Sequence, residues 1–358
     1  MNVLILTQYS RQGASSRLRC MQYVPFLERS GIKTQIEHLL DDRYLKALYA
    51  GERNLAAVAS GYRRRIKTLK QGQDPDMIWL EKEALPWMPA TVDRWLFPSE
   101  VPLVVDYDDA VFHRYDQNRS SVVRAAFKNK IARTMARANL VLAGNGYLKA
   151  YACQAGAEHV EVVPTVVDVD AYQPWPPGVG GGRVTVGWSG SPGTWRDCVV
   201  PFMPSIQQVL RENDTDMVAI GAGHAAEQAQ GMRIKSWSEE HEVADIQGMD
   251  IGIMPLPDTP WMRGKCGYKL IQYMACGLPV VASPVGVNRD IVEHGVNGFL
   301  ATSERDWVEA LQTLINDAGL RHRMGDAGRS LVERHYSLQV QGPRVTRLLT
   351  EVAAARRV

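Results

Sequence analysis

Ten short apolar runs, separated by longer stretches of helical pattern, constrain this 358-residue chain more than any other feature. In the first half they are residues 3–6, 77–80, 103–105, 140–143 and 160–163. In the second half they are residues 184–186, 217–220, 232–234, 251–254 and 280–282. Each is short and apolar on both faces, which suits a strand buried inside a parallel sheet. Between them lie amphipathic segments such as Leu55, Ala59, Tyr62, Ile66 and Leu69, expected on one helical face. Strand and helix in alternation imply βαβ units and doubly wound α/β sheets.

The runs fall into two groups divided by Gln173-Pro-Trp-Pro-Pro-Gly-Val-Gly-Gly-Gly182. Such a segment continues neither a helix nor a central strand. The expected layout is therefore two Rossmann-like domains, residues 1–172 and 183–340, joined by a linker at 173–182. A final helix near residues 341–358 is expected to return to the first domain. Length agrees, at about 150 residues per domain. Ligands of doubly wound sheets bind beyond the C-terminal strand ends. Two facing sheets would place a site in the cleft between the domains.

Composition excludes several classes. Hydrophobic residues are 45% and charged residues 22%, a globular balance that rules out a disordered chain. A net charge of +2 lacks the basic excess of a general nucleic-acid binder. Cys20, Cys153, Cys198, Cys266 and Cys276 are scattered and form no CxxC, so neither a disulfide framework nor a zinc cluster fits. A reducing cytosol is the expected compartment. The apolar start is too short for a secretion signal, and no apolar stretch approaches the ~20 residues of a membrane span.

Four loops carry chemistry. The richest is Met262-Arg-Gly-Lys-Cys-Gly-Tyr-Lys-Leu-Ile-Gln272, where Gly264 and Gly267 precede a helix expected to start near Tyr268. A helix N-terminus offers free N–H groups to an anion, and Arg263, Lys265 and Lys269 add cations. An ordinary connection with a solvated lysine face fits the same residues. The second loop is Gly187-Trp-Ser-Gly-Ser-Pro-Gly-Thr-Trp-Arg196, in which Gly190 and Ser191 allow close backbone approach. A plain βα turn is its bland alternative. The third, Gln12-Gly-Ala-Ser-Ser-Arg-Leu-Arg19, follows the first strand; Gly13 and Arg17 are its site candidates, and Arg19 equally fits the surface. The fourth is Val104-Val-Asp-Tyr-Asp-Asp-Ala-Val-Phe-His113, with Asp106, Asp108 and Asp109 at a strand end. Such a cluster suits Mg²⁺ or Mn²⁺, or a structural turn cap.

The run Lys269-Leu-Ile-Gln-Tyr-Met-Ala-Cys-Gly-Leu-Pro-Val-Val-Ala-Ser283, with Gly286 and Glu293-His-Gly-Val-Asn-Gly-Phe299, closely resembles the C-terminal signature of GT-B glycosyltransferases of family 4. Asp250-Ile-Gly-Ile-Met-Pro255 and Val162-Val-Pro-Thr-Val-Val-Asp168 resemble two further family segments. The resemblance spans essentially the whole chain. It implies a UDP- or GDP-type sugar donor on the C-terminal domain and a glycan or lipid-linked acceptor on the N-terminal domain. It also implies transfer with retention, no cofactor and no catalytic metal. Cell-surface polysaccharide or glycoconjugate assembly is the usual setting of such enzymes.

On that resemblance Lys265, Lys269 and Asp108 are the catalytic candidates. Gly13, Gly190, Ser191, Arg196, Gly264, Cys266, Gly267, Tyr268 and Gln272 are candidates for the nucleotide-sugar, and Arg17 and Asp109 for the acceptor. The sequence also departs from the family. The usual Glu-x7-Glu pair falls on Gly264 and Gln272, and the usual Arg and Lys of the phosphate loop fall on Trp188 and Thr194. Gln272 keeps hydrogen-bonding reach toward a ribose but loses the charge. Arg196 and Lys265 are candidates to replace the missing cations.

Three other readings compete: a nucleotide-sugar-binding relative without turnover, a sugar-nucleotide epimerase, and a dinucleotide oxidoreductase. The last rests on Gly221-Ala-Gly-His-Ala-Ala226, which matches GxGxxA but sits in mid-domain, with His224 expected at the surface. Arg63, Arg64, Arg65, Lys67 and Lys70 form a basic cluster. It is expected either as a solvated face or as a contact with anionic lipid at the inner membrane face. Trp87 and Trp95 suit either that interface or the core.

Overall fold

The structure, a computed structural model, describes residues 1–71, 75–174, 182–223 and 232–355. Most of the 173–182 segment, His224 and the end of the GxGxxA motif lie outside the described residues. Two compact units form. Unit 1 comprises Met1–Thr165, Gly264–Cys266 and Gln341–Val358; unit 2 comprises Val166–Arg263 and Gly267–Val340.

Unit 1 is built on six strands: β1 (Asn2–Tyr9), β2 (Lys33–Leu40), β3 (Met77–Glu81), β4 (Leu103–Tyr107), β5 (Leu140–Ala143) and β6 (Val160–Val162). They form one parallel sheet in the order β2-β1-β3-β4-β5-β6. Strands β3, β4 and β5 are buried at every position, which is why they read as unbroken apolar runs. Progression across the sheet reverses between β1 and β3, so the loops after these two strands flank the topological switch point.

Unit 2 holds β7 (Val184–Ser189), β8 (Thr215–Ile220), β9 (Met232–Lys235), β10 (Ile251–Met254), β11 (Val280–Ala282) and β12 (Gly298–Leu300). Their parallel order is β12-β11-β10-β7-β8-β9. Renumbered within the unit this is the Rossmann order 3-2-1-4-5-6, with its switch point between β7 and β10. The unit begins ahead of the Pro/Gly run because Val167, Val169 and Tyr172 are already buried in its core.

All ten apolar runs fall on strands, with only Val163 lying beyond the end of one, and β2 and β12 add two that the runs did not mark. The helix Leu55–Gln71 keeps the later part of the expected face, Tyr62, Ile66 and Leu69 packing against the core of Leu39, Leu40, Leu85 and Leu96, but its first turn does not. Leu55 is 75% exposed, whereas Ala57, Gly61 and Arg65 are buried. Gly61 makes that packing possible, since a Cβ there would stand 2.0 Å from the Leu39 carbonyl oxygen. The helix Leu338–Ala355 supplies Arg344 to unit 1, where it bonds the Val162 carbonyl at 2.7 Å and pairs with Glu161. Among the described residues no helix is long and apolar enough to cross a membrane.

Candidate functional site

In unit 1 the chemistry gathers at the C-terminal ends of β1, β3 and β4. The helix Ala14–Arg19 follows β1, and Gly13 caps it in a space too tight for a side chain: a Cβ would meet the Tyr9 Cβ at 2.3 Å. This brings Ser15 and Ser16 onto Glu81, the buried last residue of β3, which accepts from both hydroxyls and from the Gln8 amide. Ser15 Oγ in turn accepts from Lys82 Nζ at 2.8 Å. Lys82 Nζ also lies 2.8 Å from Asp108 Oδ1 and 3.6 Å from Asp109 Oδ2. Lys265 Nζ closes the series at 3.0 Å from Asp109 Oδ1.

The charges hold each other. Burial opposes the Lys82 ammonium, but Asp108 and Asp109 outweigh it and keep the group above its usual range. Burial likewise opposes the Asp108 carboxylate, and Lys82 and Arg19 hold it below the usual range. Lys265 is raised in the same way, its burial offset by Asp109. Asp108 therefore stays ionised, and Asp109 is the more accessible of the two at 23% against 15%.

Asp106 stands apart from this series. Its carboxylate takes Nε and Nη2 of Arg19 at 2.7 and 3.2 Å, and Arg19 also donates to the Val163 carbonyl at 2.8 Å. Arg19 is fully buried, not at the surface. Burial pushes the Asp106 carboxyl up to about 6 even against that guanidinium. The three carboxylates thus do not converge: Asp106 turns to Arg19, while Asp108 and Asp109 share Lys82. Among the described residues no group of three or more His, Cys, Asp or Glu is disposed to hold a metal ion.

The tripeptide Gly264–Cys266 belongs to unit 1 by its contacts. Asn145 Nδ2 donates to the Gly264 and Lys265 carbonyls at 2.9 and 3.0 Å, and Cys266 Sγ lies 3.0 Å from the Asp108 carbonyl. A Cβ on Gly264 would meet the Ala110 Cβ at 2.5 Å, so the position accepts only glycine as it stands. Burial pushes the Cys266 thiol up to about 12, which leaves it unreactive. Arg17 is buried and donates to the Arg11 carbonyl at 3.2 Å.

In unit 2 the loops after β7 and β10 flank the switch point. The helix Tyr268–Ala275 begins where expected, capped by Gly267 at φ +66°, where a Cβ would also strike Ile291. Its Lys269 stem lies against Gly190, whose Cβ would stand 2.9 Å from Lys269 Cε, and its Nζ sits 5.6 Å over the Trp188 ring. Trp188 is buried and packs edge-on to Trp195, so the residue at the family arginine position is core. Ser191 caps the short turn Pro192–Thr194 through the Thr194 amide. Tyr268, next to Lys269 in sequence, is half-buried at the helix start.

Two candidates are placed differently from expectation. Arg196 is exposed and pairs with its neighbour Asp197 at 2.9 Å. Gln272 is buried and its amide nitrogen donates to Tyr172 Oη at 2.8 Å; Tyr172 then donates to Glu242, which also accepts from Trp237. The basic cluster divides as well. Arg65 is buried, donating to the Thr7 and Glu37 carbonyls, and Arg64 pairs with Glu37 at 2.9 Å. Arg63, Lys67 and Lys70 remain exposed, with Lys70 Nζ 3.5 Å over the Trp95 ring.

Glu81, Lys82 and Ser15 are site residues that motif reading missed. Their signal was positional: the charged run Glu81-Lys82-Glu83 closes a buried strand, at the end where ligands of such sheets bind. A cavity of about 820 Å³ beside Asp93 and Arg137 lies at the other end of β4, where Leu103 begins the strand.

Residues 183–317 match the family model described as Glycosyl transferases group 1. Over 170 residues the chain is 25% identical to the GDP-mannose-dependent monoacylated alpha-(1-6)-phosphatidylinositol monomannoside mannosyltransferase of Corynebacterium glutamicum, a match spanning 43% of each chain. The chain thus spans less than half the length of that curated relative. Among solved structures, Anabaena HepE in complex with UDP and glucose superposes with a TM-score of 0.74 at 17% identity, covering 98% of this chain and 100% of that one. Sucrose-phosphate synthase from Thermosynechococcus elongatus superposes at 0.75 and 13% identity, covering 99% and 100%. Over nearly its whole length the chain therefore has the GT-B glycosyltransferase fold, and its residues 183–317 carry the match to the glycosyl transferases group 1 model.

Proposed function

We propose that the chain is a retaining glycosyltransferase that moves a sugar from a nucleotide diphosphate to a hydroxyl of a glycan or lipid-linked acceptor. The observation that carries this reading is the pairing of Gly190 with Lys269 at the switch point of the group 1 domain. A side-chain-free backbone and a cation there meet the start of an eight-residue helix. That combination suits a diphosphate, whose departure is the costly step and whose charge the helix amides and Lys269 stabilise. UDP in the HepE complex and GDP-mannose in the name of the curated relative support both bases as donor candidates.

On the acceptor side Asp108 and Asp109, paired with Lys82 and Lys265, accept hydrogen bonds from sugar hydroxyls. No enzyme nucleophile is required if the leaving phosphate takes the acceptor proton on the front face. Exposed Arg63, Lys67 and Lys70 support peripheral contact with an anionic membrane surface, and the reducing cytosol remains the proposed compartment.

The test is incubation of the purified chain with UDP-glucose and with GDP-mannose, reading released UDP or GDP and the anomeric configuration of any product by NMR. Release from one donor, lost in Lys269→Ala, is the expected result. One observation favours a second reading, binding without turnover: the Gln272 amide is already engaged by Tyr172. Nucleotide binding with no release from either donor would establish that reading instead.

A further inference from the structure

Among the described residues only two non-glycine residues have a left-handed backbone, Lys82 at φ +59° and Trp87 at φ +61°. Both lie in the loop that follows β3, one of the two loops flanking the switch point of unit 1. Such a conformation is costly for a residue with a Cβ and persists only where the surroundings over-determine it.

Here they do. Four consecutive backbone groups of this loop are each held by a side chain from elsewhere in the unit. Arg65 donates to the Ala84 carbonyl, Lys130 to the Leu85 carbonyl at 2.6 Å, and Tyr62 to the Pro86 carbonyl. Tyr115 Oη accepts from the Trp87 amide at 3.0 Å and donates to Glu83 at 2.6 Å, and Glu83 is paired with Lys130 at 2.8 Å. Glu83 and Lys130 are each 2% exposed, so this support lies within the protein interior.

What the support presents is an indole. Trp87 is 47% exposed, packed at steep angles against Tyr115 and Phe127 with ring centroids 5.1 and 6.5 Å away. A rigidly held, half-exposed aromatic at a ligand-binding strand edge loses little freedom when it takes a partner. At the other end of the loop, Lys82 meets Asp108 and Asp109. An apolar ring surface at one end of a loop and hydrogen-bonding charged side chains at the other match a pyranose, which has one apolar C–H face and hydroxyls around its rim. A lipid bilayer would match the indole but not the Lys82–Asp108 ion pair.

We infer that residues 82–87 form the sugar-binding element for the acceptor, with the Trp87 indole as the platform on which a pyranose ring stacks. The inference rests on the glycosyltransferase reading for the word acceptor, but the stacking itself does not.

The experiment labels the full chain with 5-fluorotryptophan and assigns the Trp87 ¹⁹F resonance by its loss in Trp87→Phe. The unsubstituted chain is then titrated with methyl α-D-mannopyranoside, with methyl β-D-glucopyranoside and, separately, with phosphatidylglycerol vesicles. A saturable shift of the Trp87 resonance with a glycoside is expected. A shift with vesicles alone, or no shift with any probe, overturns the platform. If a donor is turned over, Trp87→Ala should raise the KM for the glycoside at least tenfold while changing kcat much less, with Trp87→Phe between the two. A glycoside shift without donor turnover keeps the platform and overturns the transferase reading. Turnover without the shift overturns the platform alone.

Discussion

Lys82 Nζ lies 2.8 Å from Asp108 Oδ1 and joins the C-terminal ends of β3 and β4 by an ion pair that is largely shielded from water. Removing one partner of such a pair leaves the other charge buried and costs about 3–5 kcal/mol. Lys82→Met should therefore be destabilised by roughly that amount in urea unfolding at pH 7. The pH dependence follows from Asp108, whose folded value is depressed. Stability from a depressed carboxyl is present above its unfolded value and is lost as pH falls through the folded one. The gap between wild type and Lys82→Met should be full at pH 8 and narrow as pH falls, because the unpaired, buried Asp108 of the variant takes up a proton at a higher pH than the paired one. A gap that stays level down to about pH 4 would show that the pair is not what holds Asp108 ionised.

Gly264 occupies the register of the first family glutamate, which invites its restoration. The structure argues against it, because a Cβ there would stand 2.5 Å from the Ala110 Cβ and 2.8 Å from the Ala110 nitrogen. Backbone does not yield as a flexible side chain would. Gly264→Glu should be overpacked, costing about 1–3 kcal/mol, and should displace Lys265 from Asp109. Calorimetric titration with UDP and GDP is expected to show no gain in affinity, alongside a lowered Tm. Tighter binding at unchanged Tm would mean that the tripeptide does not sit against Ala110.

The fold was legible wherever burial was uniform. Strands β3, β4 and β5 are apolar at nearly every position because both faces are covered. The edge strand β2 escaped because Lys33-Thr-Gln-Ile-Glu-His-Leu-Leu40 is half exposed, so its pattern reads as neither strand nor helix. The site was legible in outline, since Asp108 and Asp109 follow a strand end. Its partners were not. Three adjacent arginines look alike in sequence, and only packing shows that Arg65 points inward while Arg63 does not. Likewise the left-handed turn at Lys82 carries no glycine to announce it; long-range contacts impose it, and these are invisible in a local pattern.

Arg63 and Arg65, two residues apart on one helix, should respond oppositely to removal. Arg65 Nη2 donates to the Thr7 and Glu37 carbonyls at 2.6 and 3.1 Å, and burial lowers its guanidinium to about 10 against the pull of Glu37 and Glu81. Arg65→Met strands those carbonyls and should cost about 1–3 kcal/mol for each buried group left unsatisfied. Arg63→Ala should fall within about 0.5 kcal/mol of wild type, as exposed substitutions do. Sedimentation with phosphatidylglycerol vesicles should separate their other roles. Glutamates at Arg63, Lys67 and Lys70 should abolish any vesicle binding while leaving the urea midpoint nearly unchanged. Undiminished binding would exclude that face as the membrane contact.

Asp93 offers a pH test on a carboxylate away from the strand-edge loops. It is 4% exposed and its Oδ1 has no hydrogen-bond partner, although Lys130, Arg137 and Arg65 act on it favourably and Glu83 unfavourably. Burial is the largest influence and raises it to about 7. A carboxyl raised on folding binds more protons folded than unfolded, so it withdraws stability as pH climbs from about 4 to 7. Asp93→Asn removes that charge and keeps the shape. Its advantage over wild type should grow by roughly 2–3 kcal/mol between pH 5 and pH 8, at about 1.4 kcal/mol per pKa unit. Guanidinium unfolding at the two pH values measures the difference directly. An advantage that does not grow would mean that Arg137, beside the cavity, already compensates the ionised carboxylate.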